Sequence, residues 1–465
     1  MFRFKTLMLA LILGLCSNML HAANVILIIG DGMDDHQISI ARNYLKGAQG
    51  RLLLDDMPLR AAVQILTVED STEHKPVYVA DSANTATTLA TGVVTSRGRI
   101  STAAGSDEDL PTIAELASAA GLRSGIVTSA SVTDATPAAF AAHVSLRLCE
   151  NPNKMLDINY RGIPLGNCKQ DLKAAGGPGS IAEQLAASSL DILLGGGSKH
   201  FSPEIEGGNI SVAEAAQANG FTLVHNLEQL HNAPADARLL GLFAPGTLPV
   251  RLQGEGQRSA EAAKPSLLNR LHPYLGSVSY PDVMRCEANP QAEGIPTLKA
   301  MTEVALEYLS RDNPTGFFLM VESASIDKQA HERKPCGSIG EMEQLEEVLA
   351  TAMAFAENQP DTLILVTADH AQAAQLVPDG SMYKDYNIPV YSPGMVARIV
   401  TPEGAIMGVN YATNNYPYEE HTGANVPLFG NSEAQAYVPA FIQQSDLFNI
   451  MRDYLGLKPE VELRD

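Results

Sequence analysis

The chain has 465 residues and a formal net charge of −21, because 53 acidic side chains outnumber 32 basic ones. A hydrophobic share of 45% and a charged share of 18% are typical of a globular protein and exclude an intrinsically disordered chain. The acidic balance argues against a dedicated nucleic-acid binder and against docking on an anionic membrane, since both partners are negatively charged.

The first segment in chain order is typical of a signal peptide. Arg3 and Lys5 form a basic head, residues 6–16 form an apolar run, and small residues around Ala22 offer a cleavage site. The apolar run is shorter than the roughly 20 residues that a membrane-spanning helix needs. We therefore expect residues 1–22 to be removed, and the mature protein to be periplasmic or extracellular without membrane attachment.

The rest of the chain alternates apolar, β-branched runs with Ala-rich stretches of helical character. Strands that are buried on both faces and alternate with helices are typical of a mainly parallel sheet covered on two sides. We therefore predict a three-layer α/β/α sandwich with a large, mostly parallel central sheet. The predicted strands are residues 24–29, 123–128, 191–194, 316–321 and 361–367, and the predicted helices are residues 110–120, 181–188, 297–309 and 340–357.

One stretch departs from this alternation. About residues 376–420 are rich in Pro, Tyr, Asn and Gly, and we interpret them as a small irregular or β-rich, crown-like insertion. No repeat, low-complexity tract or convincing linker interrupts the chain. We therefore expect residues 23–465 to form a single α/β domain.

Four cysteines lie outside the predicted signal peptide, and an even number suits an oxidising compartment. Three pairings are possible. We favour the sequential pairing Cys149–Cys168 and Cys286–Cys336, because it closes the shortest loops, and each bridge would contribute about 3–4 kcal/mol on the loop-entropy model. A cysteine-ligated metal site is the alternative, but the sequence has no C-x-x-C spacing to support it.

Polar side chains follow three of the predicted strands, at the edge where parallel sheets bind their ligands. Asp31, Glu322 and the pair Asp369-His370 each stand at such a strand end. Burying carboxylates and imidazoles there is costly unless a partner or a metal compensates them. Any one of them alone is more simply explained as a helix cap or a loop salt bridge, but their coincidence indicates a metal centre.

A further Asp/His pair lies just beyond the fourth strand. Asp327 and His331 are spaced i, i+4, which places both on one face if the segment is helical. Mixed Asp/His sets are ligands that zinc accepts, whereas all-oxygen sets suit magnesium. The sequence thus predicts that metals of both kinds can bind.

Ser82 is the candidate nucleophile. The side chains that follow it are short until Leu89, so this stretch can pack as a tight helix. A serine in the first turn of a helix has its hydroxyl beside the positive end of the helix dipole, which favours an alkoxide and a phosphate. The alternative is a plain serine N-cap.

Together these segments resemble alkaline phosphatases of the bacterial type, which are phosphomonoesterases with two zinc ions and one magnesium ion. The matching motifs occur in family order over nearly the whole chain beyond residue 22. They are IGDGM at 29–33, DSA at 81–83, DATPAA at 134–139 with Arg147 beyond it, LGGG at 194–197, residues 322–331, TADH at 367–370 and HTG at 421–423. The resemblance implies small-molecule phosphate monoesters as substrates and a homodimer as the assembly.

The resemblance also implies three metal sites per subunit, two for Zn²⁺ and one for Mg²⁺. The implied ligands are Asp327, His331 and His421 for one zinc, Asp31, Asp369, His370 and the hydroxyl of Ser82 for the second zinc, and Asp31, Thr136 and Glu322 for the magnesium ion.

Four more residues match family positions around the phosphate. Arg147 matches the guanidinium that holds two phosphate oxygens, with Asp81 orienting it. Asp134 and Lys328 match the positions that hydrogen-bond the magnesium waters and the phosphate. Both sequential cysteine pairs fall where family disulfides fall.

The implied reaction begins with attack of Ser82 on phosphorus, and a zinc-bound hydroxide then hydrolyses the phosphoserine intermediate and releases inorganic phosphate. Water bound to zinc titrates near about pH 7, so we expect activity to rise into the alkaline range. Gln372 is a departure, because many family members have a histidine there that supports a zinc carboxylate. Such changes alter metal affinity by about 10–100-fold, so we expect a more weakly held zinc and the same mechanism.

Two other functions remain alternatives. A related metallohydrolase would act on diesters or sulfate esters, but the cysteine-based sulfatase signature is absent and Arg147 suits a terminal phosphate. A non-catalytic exported protein that sequesters zinc or phosphate would keep the metal ligands but would not need Ser82.

Overall fold

The computed structural model describes residues 23–160, 162–234 and 236–457. The predicted signal peptide, residues 1–22, lies outside the described residues. Among the described residues, no helix has the length and apolar character needed to cross a membrane.

The strands of the described part are, in chain order, β1 (Ala23–Gly30), β2 (Leu59–Gln64), β3 (Thr67–Val68), β4 (Pro76–Val77), β5 (Arg123–Ser131), β6 (Ile158–Tyr160), β7 (Ile163–Gly166), β8 (Ile192–Gly196), β9 (Phe221–Val224), β10 (Arg238–Leu242), β11 (Leu252–Gly254), β12 (Glu261–Ala262), β13 (Lys264–Pro265), β14 (Val278–Ser279), β15 (Cys286–Ala288), β16 (Gly316–Ser323), β17 (Thr362–Thr367), β18 (Gln375–Val377), β19 (Met395–Val400), β20 (Ile406–Tyr411), β21 (Val426–Gly430) and β22 (Phe441–Gln443).

The α-helices of the same part are α1 (Asp35–Lys46), α2 (Ser82–Thr91), α3 (Ile113–Ala119), α4 (Ala135–Ala138), α5 (Ile181–Ala187), α6 (Ser198–Phe201), α7 (Val212–Ala218), α8 (Leu227–His231), α9 (Leu267–Leu271), α10 (Leu298–Ser310), α11 (Ser325–His331), α12 (Pro335–Asn358) and α13 (Gln444–Tyr454).

A ten-stranded sheet forms the centre of the molecule, in the order β22-β2-β21-β17-β1-β16-β5-β8-β10-β9. Neighbouring strands are parallel except at β21, which is antiparallel to both β17 and β2. This confirms the predicted α/β fold with a large, mostly parallel sheet. The five strands predicted from the sequence correspond to β17, β1, β16, β5 and β8, which are adjacent in the sheet.

The middle strands are covered on both faces, which is why their sequences are unbroken apolar runs. Every residue of β16 and β17 is buried, and so are residues 24–30 of β1. The alternating i, i+2 pattern of a half-exposed strand is therefore absent from these three strands.

The predicted helices form within the structure, with two differences at their first residues. The first of them begins at Ile113 and not at residue 110, because Thr112 is its N-cap. The last of them begins at Pro335 and not at residue 340. Proline is well tolerated in the first helical turn, because the N–H that it lacks would have no partner inside the helix. Residues 335–339 escaped prediction because Pro335 and Gly337 are poor helix formers in a sequence pattern.

The stretch predicted as a β-rich insertion supplies β19 and β20 and part of β18. These strands form a second, four-stranded sheet in the order β12-β19-β20-β18, with antiparallel pairing throughout. Its first strand, β12, comes from outside the predicted range. A two-residue strand carries too little pattern to be predicted from sequence.

The cysteines pair sequentially, as Cys149–Cys168 and Cys286–Cys336. The second disulfide connects β15 to the first turn of α12, and it therefore fixes a peripheral strand against the long helix that follows α11.

Candidate active site

The carboxylates of the site lie where three neighbouring strands end. In the parallel register, Ile29 of β1 pairs with Glu322 of β16 and with Thr367 of β17. Asp31 lies two residues beyond Ile29, and Asp369 lies two residues beyond Thr367. Three acidic side chains therefore meet at one edge of the sheet. All three are buried.

A sharp turn after β1 brings these groups together. Gly32 has a φ of +71°, in the left-handed region that favours glycine. Its N–H donates to Oδ1 of Asp369 over 3.0 Å. A Cβ at this position would lie 3.0 Å from Cβ of Asp327. Any larger residue would therefore displace the neighbouring carboxylates.

Ser82 lies at the start of α2, as the sequence predicted. The helix begins there because Asp81 is its N-cap and accepts a hydrogen bond from the backbone N–H of Asn84. The Ser82 side chain is almost fully buried, and its Oγ lies 3.0 Å from Nε2 of His370. The candidate nucleophile therefore touches one of the candidate metal ligands.

The set Asp327, His331 and His421 converges on one point. Helix α11 carries the first two on one face, and Nε2 of His331 lies 3.2 Å from Oδ2 of Asp327. Nε2 of His421 lies 3.3 Å from Oδ1 of Asp327 and 3.0 Å from Nε2 of His331. The three side chains are thus in mutual contact around the Asp327 carboxylate.

The set Asp31, Asp369 and His370 converges beside it. Nε2 of His370 is 3.4 Å from Oδ1 of Asp31 and 3.4 Å from Oδ2 of Asp369. The rings of His370 and His421 stack with 3.7 Å between centroids. His370 therefore lies close to both sets, and one donor atom each of Asp327, His370 and His421 lie within 4.8 Å of one another.

Backbone carbonyls fix the orientation of the imidazoles. Nδ1 of His421 lies 2.9 Å from the carbonyl oxygen of Ala80, and Nδ1 of His331 is hydrogen-bonded to the carbonyl oxygen of Glu419. Since a carbonyl only accepts, Nδ1 carries the proton and Nε2 is directed toward the carboxylates. This arrangement is typical of histidines that bind a metal through Nε2.

The all-oxygen set consists of Asp31, Thr136 and Glu322. All three side chains are buried, and Thr136 is held in the short helix α4. Within the described residues, Oδ1 of Asp31 and Oγ1 of Thr136 have no hydrogen-bond partner. Buried polar atoms without a partner are rare and costly, so a cation is the partner that fits these oxygens.

Arg147 lies between two carboxylates at the edge of the site. It is 3.4 Å from Oδ2 of Asp81 and 3.0 Å from Oδ1 of Asp134. Asp134 also forms an ion pair with Lys328. Burial alone would raise the pKa of Asp134, but the charges of Lys328 and Arg147 hold it well below its usual range. The carboxylates thus hold both cations in place.

The acidic cluster is electrostatically strained in the absence of cations. Burial, followed by the charges of Asp327 and Asp369, raises the pKa of Asp31 well above its usual range. Burial also raises the pKa of Glu322 to about 8, although Lys328 and the hydrogen bond from Thr128 oppose it. Divalent ions would remove this penalty by neutralising the carboxylates.

The pKa values of His370 and His331 are shifted in opposite directions. Burial lowers the pKa of His370 to about 4, so this imidazole is neutral at neutral pH. Burial would also lower the pKa of His331, but Asp327 raises it to about 8. The mixed carboxylate and imidazole donors fit zinc, and the all-oxygen set fits magnesium.

Several groups that support the site carry no signal in the sequence. Thr128 donates a hydrogen bond to Glu322, and Thr85 donates to Oδ2 of Asp369 over 3.4 Å. Ordinary threonines carry no signal of such roles. No sequence pattern indicates which backbone carbonyls orient His331 and His421.

Comparisons with known proteins agree on one family. A family model described as alkaline phosphatase matches residues 22–394. The alkaline phosphatase of Escherichia coli K12 is 39% identical over 446 residues, covering 94% of this chain and 87% of that protein. The streptomycin-6-phosphate phosphatase of Streptomyces griseus is 38% identical over 449 residues, covering 94% and 91%.

Solved structures show the same fold. The alkaline phosphatase of the Antarctic bacterium TAB5 superposes with a TM-score of 0.66 at 21% identity, covering 94% of this chain and 100% of that chain. The Thermus thermophilus alkaline phosphatase superposes with a TM-score of 0.65 at 21% identity, covering 94% and 92%.

Proposed function

Because the chain belongs to the alkaline phosphatase family of metal-dependent phosphomonoesterases, we propose that it hydrolyses small-molecule phosphate monoesters through a phosphoserine intermediate on Ser82. The observation that carries this proposal is the position of Ser82, whose Oγ lies 3.0 Å from Nε2 of His370 at the start of α2. A protein that only sequestered zinc or phosphate would have no need of a buried serine there.

We propose two zinc ions and one magnesium ion per subunit, held by the two mixed donor sets and the all-oxygen donor set described above. Bound there, the ions would supply Lewis acidity that activates the serine hydroxyl and a water and offsets charge on the leaving oxygen. The ligands would be Asp327, His331 and His421 for the first zinc, Asp31, Asp369, His370 and Ser82 for the second zinc, and Asp31, Thr136 and Glu322 for the magnesium ion.

The first chemical step forms a bond between Oγ of Ser82 and phosphorus and breaks the bond from phosphorus to the ester oxygen. The departing alcohol leaves with that oxygen and takes up a proton. The positive end of the α2 dipole lies beside Ser82 and favours its alkoxide form. In the second step a water oxygen attacks phosphorus, which releases inorganic phosphate and restores the serine.

Arg147 holds the phosphoryl group during both steps. A planar guanidinium can donate two parallel hydrogen bonds to two phosphate oxygens, which a lysine cannot do. Its contacts with Asp81 and Asp134 orient it before the substrate arrives. A diester would leave part of this donor pair unmatched, so a terminal phosphate is the favoured substrate.

We expect the rate to rise into the alkaline range, because the serine and the attacking water both react in their deprotonated forms. The measurement is the dependence of kcat/KM on pH for an aryl monoester. A maximum below about pH 7, where zinc-bound water titrates, would contradict the proposal.

The decisive experiment compares an aryl phosphate monoester with the matching diester, with and without a chelator. The wild type should prefer the monoester and lose activity in the chelator. Ser82→Ala should lower monoester turnover by about 10³-fold or more, whereas Ser202→Ala, at an exposed position, should not. Acid quenching of the wild type during turnover should trap phosphate on Ser82.

Three outcomes would overturn parts of the proposal. Hydrolysis that persists in the chelator would contradict the metal requirement. Equal or faster turnover of the diester would favour a phosphodiesterase. Undiminished activity of Ser82→Ala would exclude the phosphoserine intermediate.

We also propose that the protein is exported to the periplasm or the extracellular space. Two disulfides suit an oxidising compartment, and the basic and apolar character of residues 1–22 suits a cleaved signal. N-terminal sequencing of the protein recovered outside the cytoplasm should begin at Ala23.

The proposed assembly is a homodimer. Helix α9 exposes Leu267 and Leu271, which are 77% and 82% accessible, and Met382 and Tyr386 are also exposed. The two segments are linked by the hydrogen bond from Asn269 of α9 to the carbonyl oxygen of Pro389, and exposed apolar side chains that cluster at a surface are typical of an interaction site. Sedimentation equilibrium should give twice the subunit mass, and Leu267→Ser with Leu271→Ser should weaken association. A monomeric wild type would contradict the proposal.

A further inference from the structure

A cavity of about 340 Å³ lies beside the proposed phosphate site. Its walls are one face of α11 and the segments that flank β11 and β15. The volume lies within the range of roughly 300–1,000 Å³ that is typical of small-molecule sites. None of the proposed steps uses this cavity.

Side-chain amides dominate the lining. Gln257, Gln291 and Gln329 all face the cavity, and within the described part of the chain their amide groups make no hydrogen bond. Gln253 donates through Nε2 to Glu287 over 3.1 Å, and its amide oxygen has no donor among the described residues. Each amide combines an acceptor with donors, and Gln257 and Gln291 are exposed, so the cavity offers solvent-accessible hydrogen-bonding groups of both kinds to a ligand.

The charges that line the cavity are already paired. Nζ of Lys334 lies 2.5 Å from Oε2 of Glu332, and Lys328 forms its ion pair with Asp134. Among the described residues, no lining cation or carboxylate is therefore free to select a charged group. Neutral groups that both donate and accept hydrogen bonds, such as the hydroxyls of an alcohol, match this lining.

Lys328 connects the cavity to the reacting phosphate. Its side chain lines the cavity, while its ammonium group pairs with Asp134, which holds Arg147 at 3.0 Å. The charges of Asp31 and Glu322 also act on this ammonium group. The cavity therefore adjoins the groups that are proposed to hold the phosphate, and its amides lie on the other side of Lys328 from Asp134 and Arg147.

The wall of the cavity opposite α11, formed around β11 and β15, is fixed by strand pairing and by a disulfide. Gly254 of β11 pairs with Cys286 of β15, and the disulfide from Cys286 to Cys336 anchors that pair to α12. Helix α12 in turn packs against α11. The two sides of the cavity are thus fixed relative to each other before any substrate binds.

We propose that this cavity binds the alcohol portion of the substrate and selects esters of hydroxyl-rich alcohols, such as phosphorylated sugars and polyols, over esters of apolar alcohols. The proposal rests on the proposed phosphomonoesterase function, since it assigns the leaving group of that same reaction.

The test compares kcat/KM for glucose 6-phosphate and for phenyl phosphate in the metal-loaded enzyme. The double variant Gln257→Met with Gln291→Met keeps the length of both side chains and removes their amides. Both residues lie outside α11, so the proposed metal ligands stay in place. The matched control is Gln217→Met, on the exposed side of α7 and away from the cavity.

The ratio of kcat/KM for glucose 6-phosphate to that for phenyl phosphate should fall about tenfold or more in the double variant, as expected for the loss of two neutral hydrogen bonds. The control should keep the wild-type ratio. An unchanged ratio in the double variant, with both esters still hydrolysed, would overturn the cavity proposal alone. A wild type that hydrolyses neither ester would overturn the proposed function and the cavity proposal with it.

Discussion

The amide nitrogen of Gln372 lies 2.5 Å from Oδ1 of Asp327, in a site where both side chains are almost fully buried. The amide oxygen of the same glutamine accepts the backbone N–H of Ala373 over 2.8 Å, which fixes which end of the amide faces the carboxylate. Gln372 therefore orients Asp327 with a neutral hydrogen bond. Unlike an imidazole, this donor cannot lose its proton as the pH changes.

Replacing this donor should weaken metal binding. We expect Gln372→Leu to lower the affinity for the ion at Asp327 by about 10–100-fold, the usual effect of removing a group that supports a metal ligand. The measurement is the zinc retained per chain during titration with a competing chelator. Gln37→Leu is the control, because Gln37 is also buried and its amide nitrogen has no hydrogen-bond partner among the described residues. Equal zinc retention in both variants would contradict the role of Gln372.

Arg147 should determine the affinity for phosphate. We expect Arg147→Lys to weaken competitive inhibition by inorganic phosphate by about 10–100-fold, because a lysine keeps the charge but loses the paired, charge-assisted donors. The measurement is the inhibition constant of phosphate in monoester hydrolysis. Arg51→Lys, in an exposed ion pair with Asp56, should leave that constant unchanged. A similar constant in Arg147→Lys would show that charge alone binds the phosphate.

The substitution Asp31→Asn should have opposite effects on stability with and without bound metals. Asp31 lies among Asp327, Asp369 and Glu322, whose charges raise its pKa after burial has done so. In chelator, Asp31→Asn should be more stable than the wild type by about 1–3 kcal/mol, because it relieves buried like-charge repulsion. With metals bound it should be less stable, because a ligand is lost. Urea unfolding in both conditions tests this, with Asp56→Asn as a surface control. A variant that is destabilised in both conditions would contradict the account.

The pair His143 and Glu115 should make stability depend on pH. Nδ1 of His143 lies 2.9 Å from the carbonyl oxygen of Ser101, and Nε2 lies 2.9 Å from Oε1 of Glu115. Burial would lower the pKa of His143, but the hydrogen bond and charge of Glu115 raise it overall. The folded state therefore binds the proton more tightly than the unfolded state, and this contribution is complete below about pH 6.5 and is lost as the pH rises through the raised pKa.

The magnitude should be at most about 1 kcal/mol, since the Glu115 side chain is partly exposed and its charge is screened by solvent. The measurement is the free energy of unfolding of the metal-loaded protein from about pH 6 to about pH 9, a window that spans the titration of histidine, compared with His143→Gln. The wild type should lose its advantage over the variant as the pH rises. His231→Gln, at an exposed position, should track the wild type, and a constant difference between wild type and His143→Gln would contradict the prediction.

The sequence predicted the strands that are buried on both faces of the sheet. Strands β1 and β16 are unbroken apolar runs because both of their faces are covered. Strand β2 was missed because its residues alternate between buried and more exposed positions, and β22 was missed because it has only three residues. The antiparallel direction of β21 follows from pairing between distant segments, which no local pattern reports.

For the candidate site too, the sequence predicted some groups and not others. Charged side chains at strand ends, such as Asp31 and Asp369, stand out against apolar runs, and family motifs supplied the more distant His421. The groups that orient these side chains are backbone carbonyls and common hydroxyls. The contact between Asp134 and Arg147 likewise depends on the path of the chain between them, so only the structure shows it.

The histidine that completes the set at Asp327 comes from late in the chain. His421 contacts His331 across 90 residues, and it shortly precedes β21, the strand that inserts between β2 and β17. A ribosome therefore releases the earlier ligands well before the last one. A nascent or truncated chain that ends before His421 would lack one donor of the proposed set at Asp327, although the donors of the other two proposed sets would already be present, so the ion at Asp327 would be the last of the three to gain its full set of ligands.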